Sequence, residues 1–205
     1  MKYDILVNKE NPLSKEYIPE NLVYTKSKIK PFFGDEEDHM LVPEVLINFN
    51  NLKEKASSNG YEIEISSGYR SYQSQEDILK HYLKIDGDQA YAYIALPGQS
   101  EHQTGLALDF LPYRKQLRKD MTEEELENFE ILKKEIYHWV SEHAHLFGFI
   151  IRYPIAIDNS EFTPHHITGY IHEPWHLRFV GIDRAKYMKE HNLTLEEYKE
   201  KQLIG

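Results

Sequence analysis

Apolar residues recur along this chain at two spacings, and the switches between them mark its elements. Val45, Phe49, Leu52 and Ala56 fall three or four apart and predict a helix over 43–58, with Pro43 in its first turn and Asn59-Gly60 after its end. "YEIEISS" then alternates, with Tyr61, Ile63 and Ile65 on one face, and predicts a strand that Gly68 breaks. A second helix is expected from about Ser71 to Lys84, burying Ile78, Leu79, Tyr82 and Leu83. Residues 89–95 fit neither period. The longest helical pattern runs over 122–147 through Leu126, Phe129, Leu132, Ile136, Trp139, Val140 and Phe147. Thr122 and Glu125 form a capping box at its start, and Gly148 stops it. "SEHQTGLALDF" (100–110), "FIIRY" and "TGYIHEPWHLRFVG" read as strands, and a last helix starts at Thr194 with Glu197 closing another box.

Strands and helices mix without regular βαβ alternation, so the expected class is α+β, with a small antiparallel sheet flanked by helices. A chain of 205 residues suits a single domain over 1–205. Its first 42 residues are irregular, with Pro12, Pro19, Pro31 and the acidic run Asp35 to Asp38. They are expected to form an arm packed on the domain through Leu6, Val7, Leu13, Tyr17 and Leu22.

Composition narrows the chemistry. The absence of cysteine excludes disulfides, thiolate catalysis and Cys-ligated zinc. A net charge of −10 disfavours broad nucleic-acid binding. No run of 18 apolar residues occurs, so no membrane span is expected. "MKYDILVNKENPL" lacks the apolar core of a signal peptide. With Met1 as the native start, the expected location is the cytoplasm; a removed signal or anchor would place the protein at the cell envelope instead.

Asp109 is the anomaly in this pattern, a carboxylate set among Gly105, Leu106, Ala107, Leu108 and Phe110. A buried charge needs a cationic partner or a metal. Three other segments bear on it. "HEPWH" (172–176) matches the H-E-x-x-H pattern of zincins, where both histidines share one face of a helix. Pro174 opposes that geometry, and in an extended chain His172 and His176 would stand about 13 Å apart. Glu173 and His176, three apart with a bend at Pro174, are then the useful pair. "SSGYRS" puts Arg70 on a glycine-permitted turn, where a guanidinium suits a carboxylate or a developing oxyanion, although a plain surface arginine fits as well. "PGQSEH" places Ser100 two residues before His102.

Taken together, "SGYRS…Q", "PGQSEHQTGLALDF" and "EPWHLRFVG", in this order, resemble the zinc D-alanyl-D-alanine carboxypeptidases and dipeptidases of the VanY, VanX and VanXY group. The resemblance extends from "NKENPL" to "LTLEEY" and so spans nearly the whole chain. It implies the small α+β fold of those peptidases, also described as hedgehog-like. It implies one Zn²⁺ per chain on His102, Asp109 and His176, with Glu173 as general base. Arg70 becomes an electrostatic catalyst or substrate clamp, Ser100 a holder of the substrate's terminal carboxylate, and Gln75 a polar residue on the substrate side. His172 receives no metal role. Elementary chemistry agrees, since two imidazoles and a carboxylate leave a fourth zinc position open.

The remaining candidates read more plainly. Trp175 walls the pocket or belongs to the core. His138, His143 and His145 suit a solvated helix face, His165-His166 a surface loop, and Arg152 a structural ion pair. The expected function is a D,D-carboxypeptidase, and in addition a D,D-dipeptidase, whose partners are peptidoglycan precursor peptides or free D-Ala-D-Ala. Two alternatives stand beside it: an L,D-carboxypeptidase trimming tetrapeptides, and a non-catalytic zinc-binding cell-wall module.

Overall fold

The structure, a computed structural model, describes residues 3–30, 36–113 and 121–204. Two short strands come first, β1 (Val23–Tyr24) and β2 (Met40–Leu41), paired antiparallel. Helix α1 (Pro43–Ser57) follows, then β3 (Ile63–Ser67), α2 (Tyr72–Asp86), β4 (Ala107–Pro112) and α3 (Glu123–His143). The chain ends with β5 (Phe149–Ile151), β6 (His176–Phe179), α4 (Ile182–Glu190) and α5 (Leu195–Ile204). The main sheet has the order β3-β4-β6-β5 and is antiparallel throughout. This is the expected α+β class.

The hydrophobic patterns locate the core. Val45, Phe49, Leu52 and Ala56 of α1 are at most 1% exposed and meet Ile63, Leu108, Phe110 and Leu177 from the sheet. Each such Val, Leu, Ile or Phe burial contributes about 1.5–3 kcal/mol. Helix α3 carries the expected capping box, but its buried residues are Ile136, Tyr137 and Val140, while Leu126 is 49% exposed. In α2 the buried set is Ser74, Gln75, Ile78 and Leu79, with Tyr82 and Leu83 only half-buried. Residues 89–95 fall largely within a 3-10 helix over Gly87–Ala92. Helix α4 was not foreseen; its Ala185 and Met188 join Val180 and Leu195 in a second small core. Thr194 and Glu197 form the expected box at α5.

Two segments read as strands depart from that reading. "SEHQTGLALDF" divides: Glu101–Thr104 is a 3-10 turn, Gly105 is left-handed at φ 66°, and only then does β4 begin. Thr104 drives the division, since its hydroxyl donates to the Glu101 carbonyl at 2.5 Å and accepts from the Leu106 N–H at 3.0 Å. A Cβ at Gly105 would stand 2.8 Å from Leu22 Cδ2, so the arm's close approach also requires glycine. In "TGYIHEPWHLRFVG", only β6 is strand. Residues 173–176 form a turn closed by the His176 N–H on the Glu173 carbonyl at 3.1 Å, with Pro174 preset for its second position.

Within the arm, Val7 is fully buried, Leu22 packs on the main core and Leu6 on the second one. Leu13 and Tyr17 are half-buried. Pro31 and Asp35 of the expected arm lie outside the described residues.

Candidate active site

Strand register brings the first two candidate ligands together. Asp109 on β4 pairs directly with His176 on β6, and Asp109 is also opposite Ser67 on β3. The irregularity between Ile65 and Ser67 re-aims the end of β3 at this point. His102 comes from the 3-10 turn that precedes β4. Its ring lies edge-on to His176, with centroids 4.9 Å apart.

The donor atoms converge. His102 Nε2 is 3.4 Å and His176 Nδ1 is 3.1 Å from Asp109 Oδ1. Among the described residues, His102, Asp109 and His176 form the group that could hold a metal, with ligand atoms all within 4.8 Å of one another. His102 Nδ1 sits 2.6 Å from the Gly68 carbonyl, so Nδ1 carries the proton and Nε2 is left as a lone pair facing Asp109. His102 Nε2 and Asp109 Oδ1 are both buried without a hydrogen-bond partner. These two orphaned atoms, with His176 Nδ1 beside them, make a donor set of two nitrogens and one carboxylate oxygen that suits zinc.

Electrostatics point the same way. Burial disfavours charge on His176, but Asp109, Glu101 and Glu173 outweigh it and lift its pKa to about 9. Burial likewise opposes the Asp109 carboxylate, yet His102 and His176 hold it well below the usual range. The pocket therefore attracts positive charge.

Glu173 lies beside this trio, its Oε2 3.7 Å from His176 Nδ1. Its position follows from the Pro174 turn and from its N–H on the Tyr153 carbonyl at 3.2 Å. Burial raises its carboxyl to about 7, with Asp109 adding to the rise and His176 opposing it. A carboxyl poised near neutrality can both take and return a proton. His172 turns away, its Nδ1 on the Tyr153 carbonyl at 2.9 Å.

Arg70 approaches from the opposite side, one guanidinium nitrogen 3.6 Å from Asp109 Oδ2. A second donates to Gln75 Oε1 at 3.1 Å, and Gln75 in turn donates to the Ala95 carbonyl at 2.8 Å. Gln75 thus steadies the arginine from the wall of the cleft. Ser100 and Trp175 also line this cleft of about 420 Å³, Trp175 with part of its ring against the core.

Several residues at the site escaped the sequence reading. Tyr153 and Tyr170 pack ring against tilted ring, centroids 5.0 Å apart, and line the cleft, and the buried Tyr170 hydroxyl has no hydrogen-bond partner. Asp38, read as part of an acidic arm, is buried in the cleft wall and accepts from the Ser67 hydroxyl at 2.6 Å. Behind His176 lie the fully buried Glu101 and Arg178. Arg178 carried a signal, because strand alternation puts it on the same face as His176. Arg152 pairs with Glu101 and Glu196. His138 is exposed, and His143 stacks on Trp139 with centroids 4.2 Å apart.

Comparisons with known proteins find relatives of this chain. The family model described as VanY, D-alanyl-D-alanine carboxypeptidase, matches residues 38–182. The bifunctional D-Ala-D-Ala dipeptidase and carboxypeptidase VanXYC of Enterococcus gallinarum is 34% identical over 94% of this chain and 91% of its own length. Two other curated relatives are longer, and the chain spans 66% and 64% of their lengths. Among solved structures, the LD-carboxypeptidase LdcB superposes with a TM-score of 0.73 at 34% identity, covering 95% of this chain and 84% of that one. A variant of the vancomycin resistance D,D-pentapeptidase VanY, in complex with Zn(II), gives 0.72 at 29% identity, covering 97% of this chain and 99% of that one.

Proposed function

The chain belongs to the VanY family of D-alanyl-D-alanine carboxypeptidases, and on that premise we propose that it is a zinc-dependent D,D-carboxypeptidase removing the terminal D-Ala of peptidoglycan precursors. The observation that carries this reading is the convergence of His102, Asp109 and His176 at one end of a cleft, with Glu173 and Arg70 beside them. When bound, zinc supplies a Lewis acid and a water of lowered pKa.

The chain's own groups do the rest. Glu173 Oε2 takes the proton of the attacking water and returns it to the departing amine, a role that its buried position beside His176 suits. Arg70, held by Gln75, faces the carbonyl oxygen as it gains charge. Ser100 holds the terminal carboxylate. Ile78, Leu111 and Trp175 offer apolar wall to small methyl side chains, and Tyr170 adds a free hydroxyl for a peptide group. One zinc per chain would satisfy the donor set found among the described residues. The partners are peptidoglycan precursor peptides or D-Ala-D-Ala. Among the described residues, no helix is long and apolar enough to cross a membrane.

A second reading, L,D-carboxypeptidase action on tetrapeptides, is favoured by one observation: the similarity to LdcB is as high as that to VanY, in both identity and superposition. A non-catalytic zinc module needs neither Glu173 nor Arg70 in the cleft. Product analysis of the zinc-loaded protein separates the three. Offered D-Ala-D-Ala, a pentapeptide precursor, a tetrapeptide and a D-Ala-D-Ser analogue, it should release one D-Ala from the pentapeptide fastest. Preferential trimming of the tetrapeptide would replace the D,D reading with the L,D one. No product from any substrate would leave the module.

A further inference from the structure

Behind His176, on the side away from the cleft, lies a buried carboxylate that the mechanism does not use. Glu101 is 0% exposed. Its Oε1 accepts from Arg152 Nε at 2.8 Å and from Arg178 at 2.6 Å, and both guanidiniums are fully buried. Those arginines are themselves fixed. Arg152 forms two bonds to Glu196 of α5, at 3.0 and 2.6 Å. Arg178 reaches the carbonyls of Tyr3 and Ile5 at 3.0 and 2.6 Å.

The second oxygen is treated differently. Glu101 Oε2 is buried without a hydrogen bond and stands 3.7 Å from His176 Nε2, which is also buried without one. A carboxylate present only to neutralise two arginines would share both oxygens with them. Here the guanidiniums occupy one oxygen and leave the other aimed at the imidazole edge opposite Nδ1. His102 shows the same design with a backbone acceptor, its Nδ1 on the Gly68 carbonyl.

We propose that Glu101 is a positioning residue for His176: it takes the Nε2–H, fixes the tautomer that leaves Nδ1 as the metal-binding lone pair, and raises that nitrogen's basicity. Carboxylate support of this kind typically changes metal affinity by about 10–100-fold. The inference rests on the zinc reading above and deepens it.

The test measures zinc affinity of the full chain by competition with a chromophoric chelator. Glu101→Gln should bind zinc about 10–100-fold more weakly while keeping a native near-UV spectrum. Arg152→Met, which leaves Arg178 on Glu101, should lower the unfolding midpoint without a matching loss of affinity. Ring-nitrogen NMR of the zinc-loaded wild type supplies a readout independent of any variant's folding. It should show His176 protonated at Nε2, with that proton strongly downfield and slow to exchange. Glu101→Gln affinity within about threefold of wild type overturns the proposal. So does equal weakening by Arg152→Met, or a rapidly exchanging Nε2 proton. Wild-type protein that binds no zinc overturns the zinc reading itself, and this inference with it.

Discussion

Two clusters of buried charge meet at His176, and they are built to opposite plans. On the far side from the cleft, Glu101, Arg152, Arg178 and Glu196 balance two negative charges against two positive ones, in contacts of 2.6–3.0 Å. On the cleft side, the Asp109 and Glu173 carboxylates face His176 Nδ1 at 3.1 and 3.7 Å and the His102 ring lies edge-on to it, with donor atoms left unpaired. The closed cluster has the form of support: its charges pair with one another and only the Glu101 oxygen turned to His176 is left over, as buried ions are tolerable only when paired. The open one has the form of a binding site, since its unpaired atoms await a ligand. Burial alone does not separate the two; the state of the hydrogen-bond inventory does.

The comparison breaks most severely if a ligand is removed from the open cluster. Asp109→Ala should cost more zinc affinity than the roughly 10–100-fold typical of outer-shell changes, with turnover lost in parallel; chelator competition reads it. Unchanged metal content would exclude Asp109 as a ligand. Next comes the closed cluster. Arg178→Met leaves Glu101 with one guanidinium and frees the Tyr3 and Ile5 carbonyls, and should destabilise the fold by about 3–5 kcal/mol in denaturant titration.

The same cluster sets a pH dependence. Burial alone would raise the Glu101 carboxyl, but Arg152 and Arg178 hold it far below its ordinary 4.5. A depressed carboxyl contributes stability that is fully present above that ordinary value and is lost as the pH falls through its folded-state value. The acid limb of the stability curve should therefore be flatter in Arg178→Met than in wild type.

Arg70→Ala tests the edge of the open cluster. It should lower kcat/KM by about 10²–10³-fold with zinc content kept. The smallest effect belongs to His172→Ala. It removes one hydrogen bond to Tyr153, costs about 1 kcal/mol of stability and leaves zinc affinity as in wild type. Loss of zinc in that variant would restore the helical H-E-x-x-H geometry that the Pro174 turn contradicts.

The two clusters also differ in how far the sequence revealed them. The open one was legible because its members sit in spaced motifs, and because Asp109 in an apolar run demanded a partner. The helices α1, α2, α3 and α5 were legible from period and caps. Of the closed cluster only Arg152 was legible, as a structural ion pair; its partners were not, for a physical reason. Glu101 adjoins His102, and nothing in sequence says that a 3-10 turn points their side chains to opposite sides of one imidazole. The split of "SEHQTGLALDF" was hidden because Thr104 and Gly105 redirect the backbone while the apolar pattern runs on. Tyr170 and Asp38 reach the cleft through tertiary packing alone, on segments that read as strand and acidic arm.

The most direct test pairs zinc content with turnover in Glu173→Ala, on the pentapeptide precursor. Glu173 belongs to the open cluster yet is not among its proposed ligands, so the two readouts should part. About one zinc per chain should remain while kcat falls by about 10²–10⁴-fold. Undiminished turnover would contradict Glu173 as the base, and loss of zinc together with turnover would contradict the division of roles between Glu173 and His102, Asp109 and His176.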